Sequence, residues 1–400
     1  MFAKQTVASA LIAVAFVRIA RAQTPPDPAE PPSQADKSGE GPPLADPLAL
    51  SPNPAPAQPP RSPPMSNEPT GRFQLGAGYG TDVGFFAHAH LSQSNLFGTG
   101  DLLALDASVS SLRDLFQLRF VVPHWLDSDF SLDTKLYDDR RTLPGFTRVA
   151  DGGTVALSRG LAPHLTAFVG YRLERVSGEA DAGVVAQADP TLLARVEDPS
   201  LALRTGWVSA LRAGASYSTL DTPIMPLHGT SAGFSVEEAD PMFGSTFQLT
   251  RVNAWLETHQ PLGPVTLHVG GTFNMIESTD ALGVPLTERL FLDGSSQIRG
   301  FAPGALGPID PLTGMPIGGN VLFTGHVELE APIAKQVGLS VDGFYDAGGI
   351  FDRTGAGQFG QSTGFGVIWR SPLGPLHLDL AFPLDRAGPP QLVFGIGATF

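Results

Sequence analysis

Residues 291–301 (FLDGSSQIRGF) hold a single arginine, Arg299, between stretches that alternate as membrane strands do. Counting in twos from the apolar residues of the next two stretches places Glu328 and Asp346 on the inward, polar face. An arginine carried inward by its loop could meet both carboxylates in a charge-assisted contact, which is stronger in a poorly hydrated interior than on a surface. The same residues fit a second role, an arginine that constricts the pore of a channel.

Other patterns that could carry chemistry are weaker. The chain has no cysteine, which excludes a disulfide framework, a thiol nucleophile and a cysteine-based metal site. His88 and His90 would share one face of a strand, but two imidazoles without a third ligand do not define a metal site. The spacing Gly76-x-Gly78-x-Gly80 is followed by no helical pattern that could cradle a phosphate. We therefore expect no catalytic residue, no metal, no cofactor and no enzymatic activity.

The N-terminal part predicts secretion. Residues 1–4 carry a lysine, residues 7–17 are apolar and uncharged, and Ala20-Arg21-Ala22 forms a small-residue cleavage site, so residues 1–22 are predicted to be a signal peptide. A membrane anchor would need about 20 apolar residues. The proline-rich residues 23–71 are predicted to be a disordered periplasmic linker, either a plain tether or a segment that docks a periplasmic partner.

Residues 72–400 alternate between apolar and polar positions in runs separated by Gly, Pro, Asp and Asn. A soluble β-sandwich would also alternate, but the secretion signal and the aromatic C-terminus favour a membrane barrel, whose closure removes unpaired strand edges. About 20 residues per strand and connection give roughly 16 strands. The predicted fold is all-β, a 16-stranded antiparallel transmembrane outer-membrane β-barrel. The net charge of −14 argues against a nucleic-acid partner.

Six motifs in order resemble the BamA/TamA superfamily of outer-membrane assembly and translocation barrels. They are residues 71–81 (GRFQLGAGYGT), 93–100 (QSNLFGTG), 221–230 (DTPIMPLHGT), 298–301 (IRGF), 344–349 (FYDAGG) and 369–376 (WRSPLGPL). Each motif alone is weak, but their order and the terminal phenylalanine make the resemblance specific. It extends over nearly all of residues 70–400.

The resemblance implies a location in the outer membrane of a Gram-negative bacterium and a part in inserting or translocating other proteins. It implies contact with outer-membrane lipids and lipopolysaccharide, with unfolded outer-membrane proteins as partners. It also implies that Arg299, Gly300 and Phe301 pin their loop to the inner wall through Glu328 and Asp346. The resembling assembly factors carry periplasmic POTRA modules, and residues 23–71 are too few for one, so we expect a bare barrel.

A second candidate site is the seam between the first and last strands. Glycine weakens a strand, so a glycine-rich seam could open and pair with an incoming strand. The glycines could instead only leave room for the inserted loop and Phe301. An alternative function also stays open at this point, a plugged or gated passive diffusion channel that keeps the fold without assembly activity. The seam residues are Gly76, Gly78, Gly80, Gly395, Gly397 and Phe400.

Overall fold

The structure, a computed structural model, describes residues 71–80, 84–96, 98–180, 203–222, 225–310, 314–371, 374–386 and 389–396. The predicted signal peptide (residues 1–22) lies outside the described residues, as does all of the predicted linker except Gly71. Gly397 and Phe400, two of the seam residues, also lie outside them.

The described chain forms strands throughout, joined by turns and a few short 3-10 turns. The strands are β1 (Gly71–Gly80), β2 (Gly84–Leu96), β3 (Asp101–Ser110), β4 (Arg113–Val122), β5 (Phe130–Leu143), β6 (Phe146–Ala162), β7 (Leu165–Ala180), β8 (Gly206–Ser218), β9 (Gly229–Ala239), β10 (Leu249–Leu262), β11 (Val265–Ser278), β12 (Val321–Ala334), β13 (Leu339–Phe351), β14 (Gly357–Ser371), β15 (Gly374–Pro383) and β16 (Gln391–Ile396). The first strand begins at Gly71, one residue before the predicted start of the barrel.

These strands make one sheet in which each strand pairs antiparallel with its neighbours in sequence. The order runs from β1 to β16 without a crossover, and β1 and β16 come side by side, with Cα atoms within 8 Å. The sheet therefore curves round into a barrel, and within the described residues it has the predicted sixteen strands. In the described part of the chain, no helix is both long enough and apolar enough to cross a membrane.

The alternation along the strands separates an apolar outer surface from a polar interior. In β12, Val327 and Leu329 are exposed while Glu328 and Glu330 are buried. In β15, the exposed Leu378 stands between two buried polar residues, His377 and Asp379. The described part of β16 follows the predicted pattern too, with Leu392 outward and Val393 inward.

Turn chemistry ends the strands where the sequence motifs occur. At the end of β2, Asn95 adopts a positive φ of 60°, and its side-chain Oδ1 accepts a hydrogen bond from Gly100 N at 2.9 Å. Between β8 and β9, Asp221 Oδ1 accepts from the backbone N–H groups of Thr222, Leu227 and His228. These polar side chains satisfy backbone donors that a tight turn leaves unpaired, and so they help to fix the hairpins.

The segment between β11 and β12, residues 279–320, folds into the barrel and is called the lumen loop below; residues 311–313 of it lie outside the described part. It contains the 3-10 turns Leu286–Glu288 and Gly294–Ser296. Its apolar side chains pack on the inner wall in clusters with strand residues. One cluster contains Leu292, Ile298, Phe301, Leu306, Leu322 and Ile350, and another contains Leu143, Phe146 and Phe291.

Candidate functional site

Arg299 lies at the centre of the lumen loop's contact with β12 and β13. Its guanidinium makes a two-pronged contact with Asp346, from Nε to Oδ2 and from Nη2 to Oδ1, each at 2.8 Å. Nη1 donates to Glu328 Oε2 at 2.8 Å and lies 3.5 Å from Asp379 Oδ2. Only 1% of Arg299 is exposed. The contact predicted by counting in twos along the strands is present. Three carboxylates surround the Arg299 guanidinium.

The surroundings of Arg299 also fix its backbone and its charge. Arg299 N donates to Asp346 Oδ2 at 3.0 Å, and the guanidinium carbon lies 3.4 Å from the ring centroid of Phe344, a cation–π contact. Burial by itself would lower the pKa of Arg299. The hydrogen bonds and negative charge of Asp346, together with Glu328 and Asp379, outweigh burial and raise this pKa above its ordinary value. The guanidinium therefore stays charged in the lumen.

Gly300 and Phe301 complete the turn that presents Arg299. Gly300 has φ +87°, a conformation that favours glycine, and an added Cβ would lie 3.2 Å from the Cβ of Ala381. Phe301 is buried, with its ring against Gly360 of β14. Arg386 donates to Gly300 O at 2.8 Å, and its guanidinium carbon lies 4.5 Å from the Phe301 ring centroid. All three residues of this turn are thus held by strands or by Arg386, which follows β15.

The described seam residues Gly76, Gly78, Gly80 and Gly395 lie on β1 and β16. Gly76, Gly78 and Gly80 alternate with the outward Phe73 and Leu75 in β1, and Gly395 of β16 pairs with the inward His377. A Cβ on Gly76 would lie 2.4 Å from His88 Nδ1, so this glycine makes room for the His88 imidazole. Among the glycines whose surroundings the structure describes, Gly360 of β14 faces the Phe301 ring.

Comparison with known proteins decides the family. A family model described as the Omp85 superfamily domain matches residues 95–400. The chain belongs to the Omp85 superfamily. The outer membrane protein assembly factor BamA of Nitratidesulfovibrio vulgaris is 26% identical over 332 residues, covering 80% of this chain and 40% of the relative. BamA of Neorickettsia risticii is 26% identical over 342 residues, covering 79% of this chain and 43% of the relative.

A solved structure shares the fold of this Omp85 barrel. The crystal structure of BamA from Haemophilus ducreyi lacking POTRA domains 1–3 superposes with a TM-score of 0.68 at 20% identity, over 83% of this chain and 70% of that chain. The present chain spans less than half the length of the two curated BamA relatives. The similarity therefore concerns the barrel portion, and these relatives are named as assembly factors, not as enzymes.

Several residues of the Omp85 site have roles that sequence reasoning missed. Phe344 stacks under the Arg299 guanidinium and Asp379 approaches it, and nothing in the sequence signals either contact. Arg386 lies in a turn, where the alternation of inward and outward side chains does not apply. The chain contains a Gly-x-Ser-x-Gly spacing at residues 229–233. It runs along the extended strand β9 and not through a strand-to-helix turn, so it does not form a nucleophile elbow.

Phe301 is expected to need the bare backbone of Gly360. In Gly360→Val, the new Cβ would lie 2.7 Å from Phe301 Cζ, so the Phe301 ring would have to move away from β14. We expect a loss of about 1–3 kcal/mol in the free energy of unfolding, typical of overpacking. Denaturant unfolding of the detergent-solubilised barrel measures this. The control is Gly325→Val in β12, where an added Cβ would meet only Gly270 O, at 3.7 Å. Equal losses of unfolding free energy in the two variants would show that Phe301 does not pack against Gly360.

Proposed function

We propose that this Omp85 barrel promotes insertion or translocation of other proteins at the outer membrane, and that the seam between β1 and β16 is where it acts. One observation carries the proposal. Each strand from β1 to β16 is joined to the next by a ladder of backbone hydrogen bonds, whereas the described residues of β1 and β16 form no ladder with each other although their Cα atoms come within 8 Å.

A seam of this kind provides what an incoming strand needs. The edges of β1 and β16 carry backbone N–H and C=O groups that can pair with an added strand. In lipid, backbone groups without hydrogen-bond partners are costly, so pairing with a substrate strand is favoured over a bare opening. Glycines on the inner face of β1 reduce the side-chain packing that would otherwise hold this strand in place.

The Arg299 contact has a complementary role in the proposal. Arg299, Gly300 and Phe301 would pin the lumen loop to β12 and β13 through Glu328 and Asp346, so that the lumen stays filled while the seam opens. This packing counts against the alternative, a passive diffusion channel, because such a channel needs a continuous aqueous path through the lumen. A porin-like arginine that only lines a pore would keep one side open to water, whereas Arg299 is enclosed.

The proposal extends to the setting of the barrel. Residues 1–22 would direct the chain to secretion, and residues 23–71 would form a periplasmic tether with a partner of its own. The outer surface would contact outer-membrane lipids and lipopolysaccharide, and the substrates would be unfolded outer-membrane proteins. The chemistry needs no cofactor, since strand exchange only replaces one set of backbone hydrogen bonds by another.

Reconstitution tests the proposal. Vesicles containing the purified protein are expected to fold an added, urea-unfolded outer-membrane barrel faster than protein-free vesicles, as followed by the shift of the folded band on unheated gels. A planar bilayer containing the protein is expected to show little steady ionic conductance. No acceleration of folding, combined with a steady conductance that rises when residues 291–301 are deleted, would support the channel instead.

A further inference from the structure

The lumen loop makes a second buried ionic contact, at Glu288. This residue ends the 3-10 turn Leu286–Glu288 and is 3% exposed. Its Oε1 accepts a hydrogen bond from Arg148 Nη2 at 3.0 Å, and its Oε2 accepts one from Arg251. Arg148 Nε also donates to Thr287 O at 2.9 Å. One carboxylate of the loop is therefore enclosed by two arginines of the wall.

The Glu288 contact lies on a different part of the wall from the Arg299 contact. Arg148 belongs to β6, whereas Asp346, the two-pronged partner of Arg299, belongs to β13. Seven steps separate these strands in a closed sheet of sixteen, so they face each other almost directly across the lumen. The loop thus connects Arg148 on β6 and Arg251 on β10 with the carboxylates on β12 and β13.

The order of charges along the lumen loop matches the charges of these walls. Glu288 meets arginines of β6 and β10, Asp293 pairs with Arg141 of β5, and Arg299 meets carboxylates of β12 and β13. A loop threaded in the opposite direction would bring like charges together in a buried space. Such repulsion disfavours the reversed orientation of the loop.

Apolar contacts support the first of these anchors. Leu286 packs against a cluster formed by Leu143, Phe146 and Phe291, in which the rings of Phe146 and Phe291 meet edge to face at a centroid distance of 5.9 Å. The anchor at Glu288 is therefore part of a packed contact, not an isolated ion pair.

We propose that Glu288 is a second positioning residue of the lumen loop, so that the loop is a strut held to the wall at two separate places by contacts of opposite sign. Arg148 and Arg251 hold one end through Glu288, and Glu328 and Asp346 hold the other end through Arg299. The role of the strut, to keep the lumen filled while the seam opens, rests on the proposed function. The strut itself does not rest on that function, because it is a property of the barrel without substrate.

Amide hydrogen exchange of the substrate-free barrel tests the strut. In Glu288→Gln, exchange in residues 284–292 is expected to rise about tenfold or more, as befits the loss of a charge-assisted hydrogen bond. Exchange around residues 298–301 is expected to change far less, and Arg299→Ala is expected to give the reverse pattern. The control is Glu277→Gln, since Glu277 pairs with Arg353 at 3.5 Å on an exposed part of β11.

A second variant separates a lost anchor from a general loss of folding. Arg251→Gln leaves Glu288 in place and removes one of its two arginines, so it is expected to give a smaller rise over the same residues. Added to Arg251→Gln, Glu288→Gln should have less effect than it has alone. Unchanged exchange in residues 284–292 of Glu288→Gln, or an equal rise over the whole loop, would overturn the proposal. Either result comes from hydrogen exchange alone, without an insertion assay, and so does not test the proposed function.

Discussion

Replacing Arg299 by alanine is expected to lower the free energy of unfolding by about 3–5 kcal/mol and to unseat residues 298–301 of the lumen loop. The reason is that Glu328, Asp346 and Asp379 would keep their negative charges in a buried site without the cation they share. The cation–π contact with Phe344 would be lost as well. Denaturant unfolding of the barrel in detergent micelles measures the loss.

A matched pair of carboxylates on β13 shows whether the ionic contact itself is responsible. Asp342 and Asp346 lie on the same face of this strand and are 6% and 2% exposed. Asp346 holds Arg299, whereas the carboxylate oxygens of Asp342 accept no hydrogen bond from the described protein. Asp346→Asn should therefore be strongly destabilising, whereas Asp342→Asn should change stability little, because within the described residues the Asp342 side chain holds no cation and its oxygens accept no hydrogen bond. Equal losses for both would contradict the account of Arg299.

Most of the barrel could be predicted from the sequence because a strand in a membrane wall follows a simple rule of period two. The inward Glu328 and Asp346, and the outward Val327 and Leu329, follow directly from that rule. The number of strands follows from the chain length and a typical strand repeat. The hairpin motifs add local signals, since residues such as Asn95 and Asp221 stabilise turns by their own side-chain hydrogen bonds.

The interior of the lumen could not be predicted in the same way. The lumen loop has no regular alternation of apolar and polar residues. Its sequence therefore does not indicate how deep each residue lies in the lumen or which strands it contacts. Glu288 is separated from Arg148 by 140 positions in the chain, and no local pattern connects the two. Arg172 of β7 meets Glu237 of β9 over the intervening strand β8, and no local pattern in the sequence connects these two residues either. Long-range pairing of charges is a property of the closed shape.

Locking the seam is expected to abolish insertion, because a substrate strand can pair with β1 or β16 only if their edges separate. The chain has no cysteine, so introduced pairs are free of competing thiols. Gly76 is a poor position, since a new Cβ would meet the His88 imidazole. Outward positions are better, and Leu75, which is 70% exposed, can be combined in turn with Leu392 and Phe394. A disulfide needs Cα atoms about 4.4–6.8 Å apart, so several pairs should be screened.

A control disulfide can share the same cysteine. Leu75 lies opposite Ala89 in the register of β1 and β2. A disulfide formed by Leu75→Cys and Ala89→Cys would therefore link β1 to β2, with which it already pairs. This control constrains β1 without closing the seam. It should leave insertion nearly unchanged, which separates a locked seam from a stiffened strand.

The measurement that tests the account most directly is insertion of an unfolded outer-membrane barrel into vesicles containing the seam-crosslinked protein, before and after reduction. We predict that insertion falls to the rate of protein-free vesicles while β1 and β16 are joined and recovers when the disulfide is reduced, with the β1–β2 control active in both states. Insertion that proceeds at full rate with the seam oxidised would contradict the account, because substrate would then enter the membrane without passing between these strands.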